Sequence, residues 1–407
     1  MSKTPQSSLL QKQTFWEKPG VLSGMASIVA IITGLLCGFI VLFISDSSQA
    51  VAGLALILRG GFTNGAKGVG DMLHQAMPII VTGLSVGFAF KTGLFNIGAT
   101  GQFTVGAFAA LYVGYNWEFL GPIHWVVALL AAMLAGAIWG LIPGLFKAYL
   151  NVSEVISSIM MNYIGLYLVN HLVKQTIFDK MQSLAYAAKP SGNVPKLGLD
   201  NIFYQRTGDY ISPSTAHAGI FIAIAMALLM YVILNKTTFG YELKACGYNR
   251  HASRYAGINE KRNIVLSMTI AGALAGLGGG LLYLSGSAGR RYKVVDVLLT
   301  EGFNGIPVAL LGMSNPIAII FTGLFVGHIT IGGNNLQTLG YVSEVVSIII
   351  SVIIYFSAFS LLFKDMILKL IRREKVTAAT EETEVAVVDT QETVAEETNE
   401  GGDDDVH

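Results

Sequence analysis

Two polar interruptions in otherwise apolar sequence carry the groups best able to do chemistry. In residues 91–102 (KTGLFNIGATGQ), Asn96, Thr100 and Gln102 stand beside Phe95 among Gly93, Gly98 and Gly101. In residues 300–307 (TEGFNGIP), Glu301 and Asn304 flank Phe303. Amides and hydroxyls exchange hydrogen bonds without carrying net charge, so the set suits a polar, uncharged solute on a pathway. The rings of Phe95, Phe103 and Phe303 either stack on a planar part of that solute or simply pack. Ionisable groups inside apolar segments are functional candidates, because each costs roughly 2.5–3.5 kcal/mol at mid-bilayer on insertion scales. Glu301 is one. Asp71, Glu154, Asp296 and Glu344 stand near the ends of apolar runs, where hydration suffices. His74 and His328 read as proton relays or as satisfied packing residues, and neither has a neighbour at metal-ligand spacing.

Other chemistries are excluded. A phosphate-cradling loop of the form G-x-x-x-x-G-K-[ST] is absent, and the nearest stretch, GGFTNGAKG at 60–68, places Lys67 one residue too late. The chain therefore does not hold ATP by such a loop, and energy has to come from elsewhere. No nucleophile motif or metal cluster points to catalysis. The basic loops lack the stacking aromatics and length of a nucleic-acid surface. Cys37 and Cys246 offer neither a disulfide framework nor a Cys-based metal site and read as packing thiols.

A third segment, residues 237–258 (TTFGYELKACGYNRHASRYAGI), is short, basic and set between two apolar runs. Asn249 is placed as an N-cap and Gly257 as a C′ residue, bracketing about two turns, too short a helix to stand alone in water. Ala252, Tyr255 and Ala256 share one face of that helix; Arg250 and Arg254 lie one turn apart on another. Either its cations merely fix topology, or it is a coupling helix that fits a groove on a soluble partner.

The elements that position these segments are membrane spans. With 53% hydrophobic and 13% charged residues, against about 25% charged in a soluble domain, the chain reads as an all-α polytopic membrane protein. Apolar runs near 24–44, 69–90, 103–116, 124–146, 154–174, 217–235, 263–286, 299–311, 316–333 and 342–363 give about ten spans. The runs at 103–116 and 299–311 are short for a full crossing. The first run lacks a signal-peptidase site of the A-x-A type and reads as retained. Ten crossings put both termini on one side, and the cations make that side the cytoplasm: Lys3, Lys12, Lys18, Lys147, six Lys/Arg within 236–262, and Lys364, Lys369, Arg372, Arg373 and Lys375. Arg290, Arg291 and Lys293 fall on the opposite side. The expected organisation is a cytoplasmic segment 1–20, a membrane domain 21–368 with an extracellular segment 175–216 and a cytoplasmic loop 236–262, and an acidic tail 369–407.

Net charge is zero, yet residues 376–407 carry eleven Asp/Glu and no Lys/Arg, leaving +11 on the preceding 375 residues. That tail has no aromatic residue and too little apolar surface to fold, so it reads as a solvated extension. Within the spans, Gly-x-x-x-Gly spacings recur at Gly34/Gly38, Gly83/Gly87, Gly136/Gly140/Gly144, Gly272/Gly276/Gly280 and Gly323/Gly327, predicting close helix packing. The paired interruptions at 91–102 and 300–307 read as broken or re-entrant helices, because irregular backbone survives at membrane depth only when buried in protein or lining a wet cavity. Their shared Phe-Asn pair suggests a weak two-fold internal repeat.

Three blocks resemble the integral-membrane permeases of ABC importers of the branched-chain amino acid, ribose and nucleoside group: GLFNIGATGQ at 93–102, TTFGYELKACGYNRHASRYAGI at 237–258 and LTEGFNGIPVALLG at 299–312. With the spacing of spans the resemblance covers about 40–363 and is strongest to nucleoside permeases, then simple-sugar permeases. It implies a non-catalytic subunit that works with separate ATPase subunits holding ATP and Mg, a second permease chain, usually a different one, and an extracytoplasmic solute-binding protein, with no cofactor on this chain. It makes the second block the ATPase-coupling element, assigned to Gly240, Ala245, Gly247, Asn249, Ala252, Tyr255, Ala256, Gly257 and Ile258, with the cations Arg250 and Arg254 beside them. Cys246 and Tyr248 depart from the residues commoner there. The implied location is the multi-pass cell membrane of a prokaryote. An ion-coupled secondary transporter is the alternative that the broken helices and buried carboxylates leave open.

Overall fold

A computed structural model describes residues 19–207, 210–286 and 290–370. The cations Lys3, Lys12, Lys18, Arg372, Arg373 and Lys375 and the acidic tail 376–407 lie outside the described residues. The chain divides into two compact units, Ala30–Phe359 and a second made of Met1–Val29 with Ser360–His407. The helices are α1 (Pro19–Ser45), α2 (Ala50–Arg59), α3 (Gly65–Lys91), α4 (Ala99–Asn116), α5 (His124–Leu150), α6 (Glu154–Thr176), α7 (Leu199–Ile202), α8 (Gly219–Lys236), α9 (Thr238–Tyr248), α10 (Arg250–Tyr255), α11 (Glu260–Tyr283), α12 (Thr300–Phe303), α13 (Gly305–Leu311), α14 (Pro316–Asn334) and α15 (Ser343–Ser357). Two small antiparallel hairpins, β1 (Phe178–Asp179) with β2 (Leu184–Ala185) and β3 (Tyr204–Thr207) with β4 (Tyr210–Pro213), lie between α6 and α8.

Small residues set the packing at the centre of the larger unit. A Cβ at Gly136 would stand 2.8 Å from the Cα of Gly276, and one at Gly140 would stand 3.0 Å from the Cα of Gly272. The two glycine ladders read from sequence therefore face each other across α5 and α11, with backbones too close for any side chain. Opposite its ladder, α5 exposes Leu130, Leu134 and Ile138, a one-sided apolar stripe suited to lipid.

The span count differs from the sequence expectation of ten. Among the described residues, seven helices are long and apolar enough to cross a membrane, or eight if Ser343–Ser357 and Ser360–Leu370 form one span. The run at 299–311 is broken into α12 and α13, whose twelve residues from 300 to 311 rise about 18 Å against a hydrocarbon core of about 30 Å. The short apolar helix α2 was not anticipated.

One end of the bundle gathers the end of α3, the turn between α5 and α6, and α9–α10. There Lys147 pairs with Glu154 at 2.8 Å and Lys261 sits over the Tyr149 ring. The other end gathers residues 175–207, 210–216, 284–286 and 290–296. Tyr292, buried to 1% exposure, donates its hydroxyl to Asn170 Oδ1 at 2.9 Å, and its carbonyl accepts from the Ala185 N–H. Burial, and secondarily the Asp296 carboxylate, push the Tyr292 phenol upward, so it remains a donor. Arg290 pairs with Glu301 and Arg291 with Asp179, so these two cations, on the end opposite to the other basic loops, have acidic partners of their own.

Candidate functional site

The break after α3 begins at Gly93, whose φ of +73° turns the chain and whose missing side chain lets Gly247 of α9 approach. The chain then climbs back into the bundle, because Asn96 donates to Ser85 Oγ at 3.1 Å, a residue of α3 six positions before its end, or about 9 Å deeper. Asn96 and Gln102 exchange amide hydrogen bonds at 2.8 and 3.1 Å, and Asn162 anchors both the Gly101 N–H and the Ile97 carbonyl. This is the re-entrant segment that the sequence predicts, with α4 starting inside the protein. The second broken segment meets it there: a Cβ at Gly302 would stand 2.5 Å from the Cα of Thr100, and one at Gly305 would stand 2.6 Å from the Thr82 carbonyl carbon.

The two Phe-Asn pairs do different work. Asn96, Thr100 and Gln102 are buried to 1% exposure or less, and the two amides are spent on each other. Phe95 stacks on Phe90 at 5.2 Å. None of the four lines the large cavity of this unit. Glu301, Phe303 and Asn304 do line it. This cavity of about 680 Å³ lies among α3, α12–α13, α14 and α15, inside the range of roughly 300–1,000 Å³ usual for small-ligand sites. Its polar lining includes Gln75, Thr330, Asn334, Ser347 and Ser351, and its aromatic lining adds Tyr355 and Phe359 to Phe303. Its one ion pair is internally neutralised, Arg290 Nη1 to Glu301 Oε1 at 2.7 Å. A site that is neutral overall, with amides and hydroxyls set among aromatic rings and the apolar Ile306, Leu310, Ile350 and Ile354, suits an uncharged solute with a planar ring and several hydrogen-bonding groups.

Sequence reasoning missed Gln75, Arg290 and the walls from α14 and α15. A signal existed: Ser347, Ser351 and Tyr355 recur at i, i+4 and i+8, a polar stripe on one face of an apolar helix.

Of the other ionisable candidates, Asp71, Asp296 and His328 have structural partners. Asp71 accepts from the Thr215 N–H and hydroxyl at 2.9 Å, Asp296 accepts from Asn170 at 3.2 Å, and Glu344 is exposed. His328 Nδ1 accepts from the Gly61 N–H and its Nε2 stands 3.0 Å from the Leu58 carbonyl oxygen, which makes it a packing residue. His74 lies edge-on to His217 at 5.4 Å. Among the described residues no three His, Cys, Asp or Glu side chains converge to hold a metal.

At the α9–α10 end, Asn249 caps α10 by accepting from the Ala252 N–H at 2.9 Å. The other end closes with Ile258 N–H to Ser253 O at 3.0 Å and Gly257 N–H to Arg254 O at 3.1 Å, Gly257 having φ +81°. These paired bonds form a Schellman stop, with both helix ends where the sequence places them. Gly240 is buried where α9 folds back on the end of α8, a Cβ there standing 2.7 Å from the Cα of Leu234; Ala245 is half-buried and Gly247 rests on Gly93. Ala252, Arg254, Tyr255, Ala256 and Gly257 are exposed and Ile258 is partly so. Tyr248 and Tyr255 stand out with 93% and 94% exposure. Arg250 turns back to Glu260 at 3.1 Å, which leaves Arg254 as the cation of that face. At the opposite end, Pro190, Pro195 and Pro213 line a second cleft of about 500 Å³.

The guanosine ABC transporter permease protein NupP of Bacillus subtilis (strain 168) is 38% identical over 338 residues, covering 83% of this chain and 93% of that protein. The nucleoside ABC transporter permease protein NupB of Lactococcus lactis subsp. cremoris is 32% identical, covering 85% of this chain and 93% of the relative. The glucose ABC transporter permease protein TsgB13 of Haloferax volcanii is 31% identical, covering 73% and 77%. No solved structure matches. Residues 68–358, which hold the re-entrant segment, the capped α9–α10 element and almost the whole cavity wall, match the family described as the branched-chain amino acid transport system / permease component, and the chain belongs to that family.

Proposed function

We propose that this multi-pass membrane chain is one of two permease subunits of an ATP-driven importer and that its solutes are nucleosides. The observation that carries the reading is the similarity to permeases named for guanosine and for nucleosides over more than four fifths of the chain. The cavity supports it: a nucleoside needs hydrogen bonds for ribose and base, an aromatic neighbour and little net charge, as Asn304, Asn334, Ser347, Ser351 and Phe303 offer. A simple sugar such as ribose or glucose is the second reading, favoured by the similarity to the glucose permease protein.

The chain itself does no bond chemistry and holds no cofactor. ATP and Mg belong to separate ATPase subunits that dock on α9–α10, where the exposed Ala252, Arg254, Tyr255 and Ala256 form the contact face. That end is cytoplasmic, as are both termini. A solute-binding protein delivers from the opposite face, with residues 175–216 and their proline-lined cleft as its landing surface. The second permease is a different chain, a reading supported by the more distant resemblance to a further guanosine permease protein of Bacillus subtilis and a further nucleoside permease protein of Lactococcus lactis, at 28% and 26% identity. ATP-driven closure of the ATPases shifts the balance between two packings of the permease pair, and Gly93 against Gly247 links α9 directly to the re-entrant segment.

The test is Arg254→Glu in the complete importer reconstituted in vesicles. Normal insertion with loss of nucleoside-stimulated ATP hydrolysis is expected, since the charge reversal faces the docking partner. Wild-type stimulation would remove α10 as the coupling element.

A further inference from the structure

The ion pair in the cavity uses only part of its hydrogen-bonding capacity. Among the described residues Arg290 meets Glu301 through one nitrogen and one oxygen at 2.7 Å, while its second terminal nitrogen has only Gln75 Oε1 at 3.4 Å. The other Glu301 oxygen has only its neighbour Thr300 Oγ1, also at 3.4 Å. All four residues line the cavity, and the two charged side chains keep 36% and 17% exposure. A guanidinium carries five N–H donors in a fixed fork and an ionised carboxylate about four acceptor positions, so most of both remains free. The cavity wall thus presents a donor edge directly beside an acceptor edge, with Phe303 and Asn304, two and three residues past Glu301, also lining it.

We propose, building on the nucleoside reading, that Arg290 and Glu301 are specificity-determining residues that read the base, and that the base they select is guanine. On its pairing edge guanine offers a carbonyl oxygen next to two donors, the N1–H and the 2-amino group. Arg290 donates to the carbonyl oxygen; Glu301 accepts from both donors, one on each oxygen or in a fork. Hypoxanthine lacks the 2-amino group and forfeits one of those charge-assisted bonds. Uracil offers a carbonyl and an N–H in the same order, but its second carbonyl stands where guanine has the 2-amino group and turns an acceptor toward Glu301, and its single ring has less area for stacking. Adenine presents N1 as an acceptor where guanine has a donor, and its 6-amino group with either N1 or N7 gives the pair two bonds, one fewer than guanine. The neutrality of the pair also explains why charged residues sit in the path of an uncharged solute: each satisfies the other until a base arrives.

The measurement is equilibrium dialysis of labelled guanosine, inosine, adenosine and ribose against the assembled permease–ATPase complex in nanodiscs, without a binding protein, so that the permease's own preference is read. Guanosine is expected to bind about tenfold to a hundredfold more tightly than inosine, the range of one hydrogen bond to a charged group. In Glu301→Gln the ratio should fall to near one with the complex still assembled. Equal wild-type affinities for guanosine and inosine overturn the proposal without needing any variant. A ratio unchanged in Glu301→Gln also overturns it and leaves the pair as a latch that ties Arg290 to α12. Binding of ribose but of no nucleoside would overturn the nucleoside reading itself, an outcome distinct from nucleosides bound without preference.

Discussion

Gly257→Val tests the proposed coupling role of α10 through a single backbone angle. Gly257 holds φ +81° and an added Cβ would meet nothing within 4 Å, so repacking contributes nothing to the effect. Holding an L-residue left-handed costs about 1–2 kcal/mol, more for a β-branched one. That is set against a six-residue helix whose other supports are an N-cap worth about 1 kcal/mol and a part-exposed ion pair worth about 0–1 kcal/mol. A loss of this size changes the ratio of folded to frayed α10 by a factor of about 5 to 30. Nucleoside-stimulated ATP hydrolysis and uptake in proteoliposomes should fall together by a comparable factor, while the melting temperature of the detergent-solubilised bundle stays at the wild-type value. Gly257→Asn, which tolerates the left-handed region, should stay near wild type, and Gly257→Ala should fall between. Wild-type rates in the valine variant, or equal loss in the asparagine and valine variants, would refute the argument that helix geometry transmits the signal.

Gly276→Leu should prevent assembly of the bundle, since even a Cβ there stands 3.0 Å from the Gly136 Cα and overpacking typically costs about 1–3 kcal/mol or more; size-exclusion of a fluorescent fusion reads this as loss of the monodisperse peak. Asn96→Ala leaves the buried Gln102 amide unsatisfied and should cost about 1–3 kcal/mol; in thermal melts the Asn96→Ala/Gln102→Ala double variant should lose less than the sum of the singles, and additive losses would deny the pair. Asn304→Ala should raise the KM for nucleoside uptake several-fold without shifting the melt, because its side chain lines the cavity; an unchanged KM would remove it from the solute path. Tyr292→Phe should lower stability by about 1 kcal/mol through loss of one buried hydrogen bond to Asn170, with cleavage by external protease at residues 284–296 rising accordingly.

The parts legible in sequence are those fixed by local chemistry. Asn249 and Gly257 announce a capped helix because cap and stop depend on a few consecutive residues, and both ends fall where expected. The glycine ladders of α5 and α11 are readable because only glycine permits such approach, although their mutual facing required the fold. The re-entrant segment is readable because glycines and amides inside apolar sequence have few lawful places to go. What escaped depends on side chains meeting from distant elements. Asn96 and Gln102 are the right residue types for a solute pathway, yet they satisfy each other, a pairing that only the climb of 94–98 beside α3 creates. Gln75, Arg290 and Ser351 look like a span-end amide, a loop cation and a tolerated serine until α3, α12–α13 and α15 surround one cavity. The count of ten spans is not matched among the described residues at two runs: 103–116 lies in α4, which is not among the seven candidate spans, and at 299–311 hydropathy does not reveal that Gly302 and Gly305 dock on α4 and α3 as two short helices.

The central claim, a nucleoside permease powered by a separate ATPase, is tested most directly by uptake of labelled guanosine into proteoliposomes holding this chain, its partner permease, their ATPase subunits and the binding protein. The account predicts accumulation that requires ATP inside the vesicle compartment facing α9–α10, is indifferent to imposed proton or sodium gradients, and is suppressed by unlabelled nucleosides but not by ribose or glucose. Accumulation driven by an ion gradient without ATP, or suppression by the sugars and not by nucleosides, would contradict it.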